Sequence, residues 1–238
     1  MIKVENIDVW GFEHAIRGMR NPMNSWDKSD SGMGCCKSYN YTQFVLCKDC
    51  PFDDDCKPYF RVGKNDLDLM RRLYKAGSEH RKYLRQVFCS MDVNAPLYWW
   101  KEMDQYRINV TTNSCSTMHK IHAKEFTLDD FSYDHLIEGA YEDSHGTVAK
   151  IESKSILGGI VGYLNYVRER YILTKDKEYW WQMIQLLPSS YNQRRTITMN
   201  YENVMNIINQ RTGHKLDEWN EFVAVLMELP YVKEIRDE

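Results

Sequence analysis

Residues 87–103 constrain the fold more tightly than any other segment of this chain. Val87-Phe88-Cys89-Ser90-Met91-Asp92-Val93 alternates along one face, the two-residue period of a strand. Asn94-Ala95-Pro96 interrupts it, and Leu97-Tyr98-Trp99-Trp100-Lys101-Glu102-Met103 continues as an apolar, aromatic run. A proline has no N–H to give a ladder, and its fixed φ suits the first turn of a helix. The segment therefore predicts a strand that passes directly into a helix.

The rest of the pattern fits around that unit. Ile2, Val4, Ile7 and Val9 alternate, and Phe12, Ala15, Ile16 and Met19 follow at three-to-four spacing, which predicts a strand and then a helix. Residues 21–64 lose periodicity among Asn, Ser, Asp, Gly and Cys and read as a long loop or insertion within a single domain spanning 1–238. Asn65-Asp66 caps a helical run that ends at Gly77. Residues 107–145 are mixed and polar, and 147–182 carry a long helical pattern, with Gly158, Gly159 and Gly162 inside it. Pro188-Ser189-Ser190 breaks it, and two further helices are expected on either side of Arg211-Thr212-Gly213-His214. Strands early and helices late predict an α+β architecture dominated by helix.

Composition excludes several classes. A net charge of −3 is no coat for nucleic acid, and 43% hydrophobic with 13% aromatic residues excludes general disorder. No run approaches the ~20 apolar residues that span a bilayer, and no export signal is evident, so a cytoplasmic protein with reduced thiols is expected.

Four groups of residues carry chemical potential. Cys36, Cys47, Cys50 and Cys56, with Cys35 to spare, include a CxxC turn that suits tetrahedral zinc; plain reduced cysteines in an ordered loop, and redox or Fe–S chemistry, are the other readings. Gln105-Tyr106-Arg107 through Asn113, Ser114, Cys115, Ser116, His119 and Lys120 collects hydroxyls, amides and cations that suit an anion or a polar ring, or else a polar loop. Arg194, Arg195, Asn200, Asn206, Arg211 and His214 form a third set, for which a helix C-terminal cap is the plain alternative. The clusters Tyr98-Trp99-Trp100 and Tyr179-Trp180-Trp181 suit either a core or the stacking of a flat ring.

The order of these pieces resembles the flavin-dependent thymidylate synthases, in particular divergent phage-type members. Ala95-Pro96-Leu97-Tyr98 stands where the family has its Ala-Pro-hydrophobic-aromatic turn, and Leu187-Pro188, Asn200, Asn206 and Arg211 match its C-terminal run. The resemblance covers residues 65–230, with a looser match at Ala15-Ile16-Arg17. It implies a helix-rich α+β fold with a small antiparallel sheet, like the thymidylate-synthase-complementing proteins. It also implies a homotetramer that holds FAD between subunits and methylates dUMP, with methylenetetrahydrofolate as carbon donor and NADPH as reductant.

By the same resemblance Arg107 stands at the last arginine of the signature's Arg-His-Arg, facing phosphate or flavin, and Arg211 grips the pyrimidine and stabilises charge there. Asn113, Ser114, Ser116, Arg194, Arg195 and Asn206 are the implied substrate contacts. His119, Asn200 and His214 join Arg107 on the cofactor. Gln105, Tyr106, Thr117 and Met118 depart from the signature, and Met183-Ile184-Gln185-Leu186 lacks the family's arginine before Leu-Pro. Those departures motivate a second reading, a non-catalytic nucleotide-binding or assembly protein on the same fold. The cysteine-bearing insertion, which the family pattern lacks, motivates a third, a zinc-stabilised interaction module whose insertion contacts a partner.

Overall fold

A computed structural model describes residues 2–35, 58–142 and 144–237. It opens as the pattern requires, with strand β1 (Lys3–Trp10) and helix α1 (Phe12–Arg20). Gly11 joins them at φ +99°, and a Cβ there would lie 2.1 Å from the carbonyl oxygen of Gln86, so only glycine fits. Two 3₁₀ turns, Asn21–Met23 and Trp26–Lys28, precede β2 (Gly32–Cys35), which pairs antiparallel with β3 (Pro58–Arg61). The segment expected as a loop over 21–64 thus contains two 3₁₀ turns and a two-stranded ribbon. Cys36, Cys47, Cys50 and Cys56 lie outside the described residues.

Helix α2 (Lys64–Lys75) follows. Its cap differs from the expected Asn65-Asp66. The amides of Asn65 and Asp66 donate to the Asp30 carboxylate at 2.9 and 3.1 Å, and Asp66 itself turns inward. There it meets buried Arg20 at 2.5 Å and also accepts hydrogen bonds from Ser29 and Ser31. A side chain at Gly63 would collide with Asp30, which explains the glycine before the helix.

Next come β4 (Phe88–Pro96) and α3 (Leu97–Met103), the expected strand-to-helix unit. The polar stretch resolves into β5 (Val110–Ser114), the short helix α4 (Thr117–Lys120) and β6 (Glu138–Glu142), which pairs antiparallel with β7 (Val148–Glu152). The single long helix expected over 147–182 is two, α5 (Ser153–Thr174) and α6 (Lys177–Leu186). Lys175 turns left-handed at φ +59°, and Asp176 accepts from the Glu178 amide to start α6. The three glycines of α5 leave it unbroken, with open space where each Cβ would be.

β8 (Asn192–Asn200) was not expected from the sequence; α7 (Tyr201–Arg211) and α8 (Asp217–Met227) were, and α9 (Val232–Arg236) closes the described chain. The main sheet has strand order β1-β4-β8-β5, which leaves the polar β5 at an edge. The fold is α+β, helix-rich with small antiparallel sheets, as expected.

The chain divides into two units, and the division falls within β1, β4 and β8. The first comprises Met1–Asn6, Met91–Ile197 and His214–Phe222. One of its cores joins Phe126 and Phe131 to Leu157, Val161, Leu164 and Met183; an aromatic cluster sets Trp99 4.8 Å from both Trp100 and Trp219. The second unit comprises Ile7–Ser90, Thr198–Gly213 and Val223–Glu238 and packs Phe12 edge-on against Tyr201 and Tyr231.

Candidate functional site

In the first unit the last turn of α3 organises the polar groups. Trp100 is buried and donates its indole N–H to the backbone of Gln193 at 2.8 Å, which ties α3 to β8. Successive side chains of a strand face opposite ways, so Arg194 and Arg195 part company. Arg195 lies over the Trp100 ring at 4.3 Å and donates to the Asp104 carboxylate at 2.7 Å. Arg194 reaches Asp92 on β4, also at 2.7 Å. Thr196, Arg194 and Asn6 all donate to Asp92 and hold its carboxyl well below the usual carboxylate range.

Asp104 also fixes Arg107. The Arg107 Nε donates to the Asp104 carbonyl oxygen at 2.9 Å, while the side chain is exposed and its Nη nitrogens make no ion pair among the described residues. Asp104 therefore draws together two of the expected arginines, one stacked and engaged, one presented to solvent. Two residues earlier, the Glu102 carboxylate accepts from Trp219 at 3.0 Å and lies 3.7 Å from the His214 Nε2. The His214 Nδ1 accepts from the Leu216 amide, which places the ring proton on Nε2.

The segment after Arg107 is pinned through its backbone. The Cys115 amide donates to the Arg194 carbonyl and its own carbonyl accepts from Gln193, both at 2.9 Å. Asn113 and Ser114 are thereby held, exposed, on edge strand β5. Ser116 accepts from the His119 amide and so caps α4, which commits its hydroxyl to the fold. Tyr106 packs against Trp219, 6.0 Å between ring centres, and so serves the aromatic cluster.

The remaining expected residues belong to the second unit. Asn200 is buried and caps α7 by accepting from the Asn203 amide at 3.0 Å. Asn206 is half-buried on α7 and accepts from Arg81 at 3.4 Å; Arg211, also half-buried, is the last residue of that helix. Arg85 pairs with Glu202 at 2.5 Å, and Arg81 lies 3.6 Å from the same carboxylate. Arg85 stands near the position where the resembled family has a histidine; its grouping with Arg81 and Glu202 has no signal in the sequence beyond two arginines four apart.

The aromatic clusters divide as well. Trp99 and Trp100 are core, whereas Trp181 is 42% exposed. Among the described residues no group of three or more His, Cys, Asp or Glu is placed to hold a metal ion. No helix among them is long and apolar enough to cross a membrane.

The chemistry this arrangement offers is recognition of an anion or a planar polar ring. An exposed guanidinium with both Nη groups available can fork onto a phosphate or a pair of carbonyl oxygens. The amide and hydroxyl of Asn113 and Ser114 supply further donors and acceptors.

No protein-family model and no curated protein matches the sequence. Solved structures do match in fold. Thymidylate synthase X (ThyX) from Helicobacter pylori, crystallised with FAD and dUMP, aligns over 100% of this chain and 98% of its own at a TM-score of 0.63 and 13% identity. The UMP/dUMP methylase PolB from Streptomyces cacaoi, bound with 5-Br UMP, aligns over 99% of this chain and 92% of its own at a TM-score of 0.58 and 14% identity. The fold is the one these proteins share.

Proposed function

We propose that the chain is a flavin-dependent pyrimidine nucleotide methylating enzyme of the thymidylate synthase type, on the divergent, phage-type branch its altered signature resembles. The observation that carries this reading is the exposed Arg107 guanidinium, anchored with Arg195 on Asp104, in a chain whose fold aligns end to end with enzymes crystallised with FAD, dUMP or a UMP analogue. The substrate is dUMP or a close relative, and the carbon donor and reductant are methylenetetrahydrofolate and NADPH. The enzyme works in the cytoplasm.

The donor set fits FAD, because Arg107, Asn113 and Ser114 offer exposed polar groups suited to a phosphate or a ring edge. When bound, the reduced flavin supplies hydride. The chain's own residues orient and stabilise. Arg107 holds a phosphate or the flavin edge, Arg194 and Asn206 contribute to the nucleotide, and Arg195 contributes to it from its seat on Trp100 and Asp104. Arg211 grips the pyrimidine and offsets negative charge that builds on it as the new carbon bond forms. His119, Asn200 and His214 position the cofactor side, Asn200 by fixing the start of α7. The exposed stripe Ile156, Tyr163, Tyr166 and Leu173 on α5 supports self-association into a tetramer. Cys36, Cys47, Cys50 and Cys56 would add a structural zinc site within the 21–64 insertion of one functional domain.

Absorbance between roughly 350 and 500 nm, where oxidised flavin absorbs, tests the cofactor, and Arg211→Ala tests the role of that residue. The expected result is flavin uptake by both proteins and turnover only in wild type. Wild-type-like turnover in Arg211→Ala would sink its assignment. The use of Tyr106 as a packing residue favours one other reading, a nucleotide-binding protein without catalysis. It predicts nucleotide binding with no flavin uptake.

A further inference from the structure

A basic cavity lies where α4, the end of α5 and the start of α6 meet, about 400 Å³ in volume. Lys175, Lys177, His119 and His122 line it together with the rings of Trp180 and Tyr171, and no carboxylate does. The left-handed turn at Lys175 that separates α5 from α6 puts the two lysines on its rim. Asp176 between them spends its carboxylate on the cap of α6. Among the described residues none of the four basic side chains forms an ion pair.

The walls are built rather than accidental. The Trp180 indole donates to the Met118 carbonyl at 3.0 Å, which locks α6 to α4. Arg168 on α5 donates to the His122 carbonyl at 2.9 Å, and the His122 ring meets Tyr171 edge-on at 5.0 Å. The Nε2 and Nδ1 of a neutral imidazole need one acceptor and one donor, yet the His122 Nδ1 is buried without any partner. The lysines are held over rings, Lys175 5.8 Å from Tyr171 and Lys177 5.8 Å from Trp181.

Unpaired cations beside a fixed indole match a phosphorylated, flat ligand: charge-assisted hydrogen bonds take the phosphates and the aromatic face takes the ring. The volume lies within the range of small-ligand sites. We propose that this cavity binds a nucleoside diphosphate, with its phosphates on Lys175, Lys177 and His119 and its base against Trp180. The proposal does not rest on the flavin reading.

Isothermal titration of the full chain with ADP, inorganic pyrophosphate and adenosine tests it. ADP should bind more tightly than either fragment. The double variant Lys175→Gln/Lys177→Gln should lose at least ~10-fold in ADP affinity, about 1.4 kcal/mol, with unchanged circular dichroism and melting. His122→Ala should weaken ADP binding as well, while Lys175→Arg/Lys177→Arg should retain it. No ADP binding to wild type at millimolar concentration overturns the proposal, as does unchanged affinity in the folded glutamine variant. A parallel FAD titration separates two sources of the diphosphate. Loss of FAD affinity in the glutamine variant identifies the flavin's own, and unchanged FAD affinity identifies a separate nucleotide. A chain that binds ADP here and takes up no FAD keeps this proposal and sinks the catalytic one.

Discussion

Replacing Asp66 by Asn should be among the most destabilising single changes in the second unit. Asp66 is 0% exposed and Arg20 4% exposed. The carboxylate accepts from the Arg20 Nε at 2.5 Å, from Ser29 at 2.7 Å, from Ser31 at 2.6 Å and from the Asp30 amide at 3.2 Å. An amide at this position turns an NH₂ toward some of those donors and leaves the guanidinium buried without its counter-charge. Breaking a buried pair in this way costs about 3–5 kcal/mol. For a chain of this size that corresponds to a fall in Tm of ~6–20 °C. Burial alone would raise the Asp66 pKa, but hydrogen bonds from Ser31, Ser29 and Arg20 outweigh it, and the folded-state value lies below the ordinary 3.8. The stabilisation is therefore complete at neutral pH and is lost as pH falls through the folded value. Urea denaturation of wild type, Asp66→Asn and the double variant Arg20→Met/Asp66→Leu is the assay. The double variant should recover most of the loss, because it leaves no unpaired charge. A single variant within ~1 kcal/mol of wild type, or a double variant no better than the single, would refute the reasoning.

Other sites give independent checks. Leu164→Ala, in the core under α5, should cost about 2–5 kcal/mol by urea denaturation. Arg195→Ala should lose about 2 kcal/mol through the Trp100 stack and the Asp104 bond, and Arg195→Lys should recover only part of it. For Asp92, held ionised by Thr196, Arg194 and Asn6, the stability gap between wild type and Asp92→Asn should be full at neutral pH. It should begin to close near the ordinary carboxylate pKa of 3.8 and vanish below the folded value, as followed by melting across pH.

The sequence made the strand-to-helix unit at 88–103 legible because period and proline agreed there. β8 was hidden because its outward positions, half-buried Asn192 and exposed Arg194 and Thr196, are polar and its inward partners include Gln193; only Ile197 and Met199 read as buried strand. The break between α5 and α6 was hidden because it uses Lys175 and Asp176, with neither glycine nor proline. The cap on α2 comes from Asp30, more than thirty residues upstream, and no local pattern reports that. Site residues fared similarly. Arg107 is legible through the signature it resembles, whereas Asp104, which anchors both Arg107 and Arg195, carries no signal in the sequence. Arg194 and Arg195 read as one pair, yet strand alternation sends them to Asp92 and Asp104 separately.

The most direct test of the catalytic reading is release of tritium from dUMP labelled at C5, measured with the purified chain, FAD, NADPH and methylenetetrahydrofolate. The account predicts release that requires each of the four components and disappears in Arg211→Ala. A folded, FAD-supplemented chain that releases none, with dUMP and UMP alike, would contradict it.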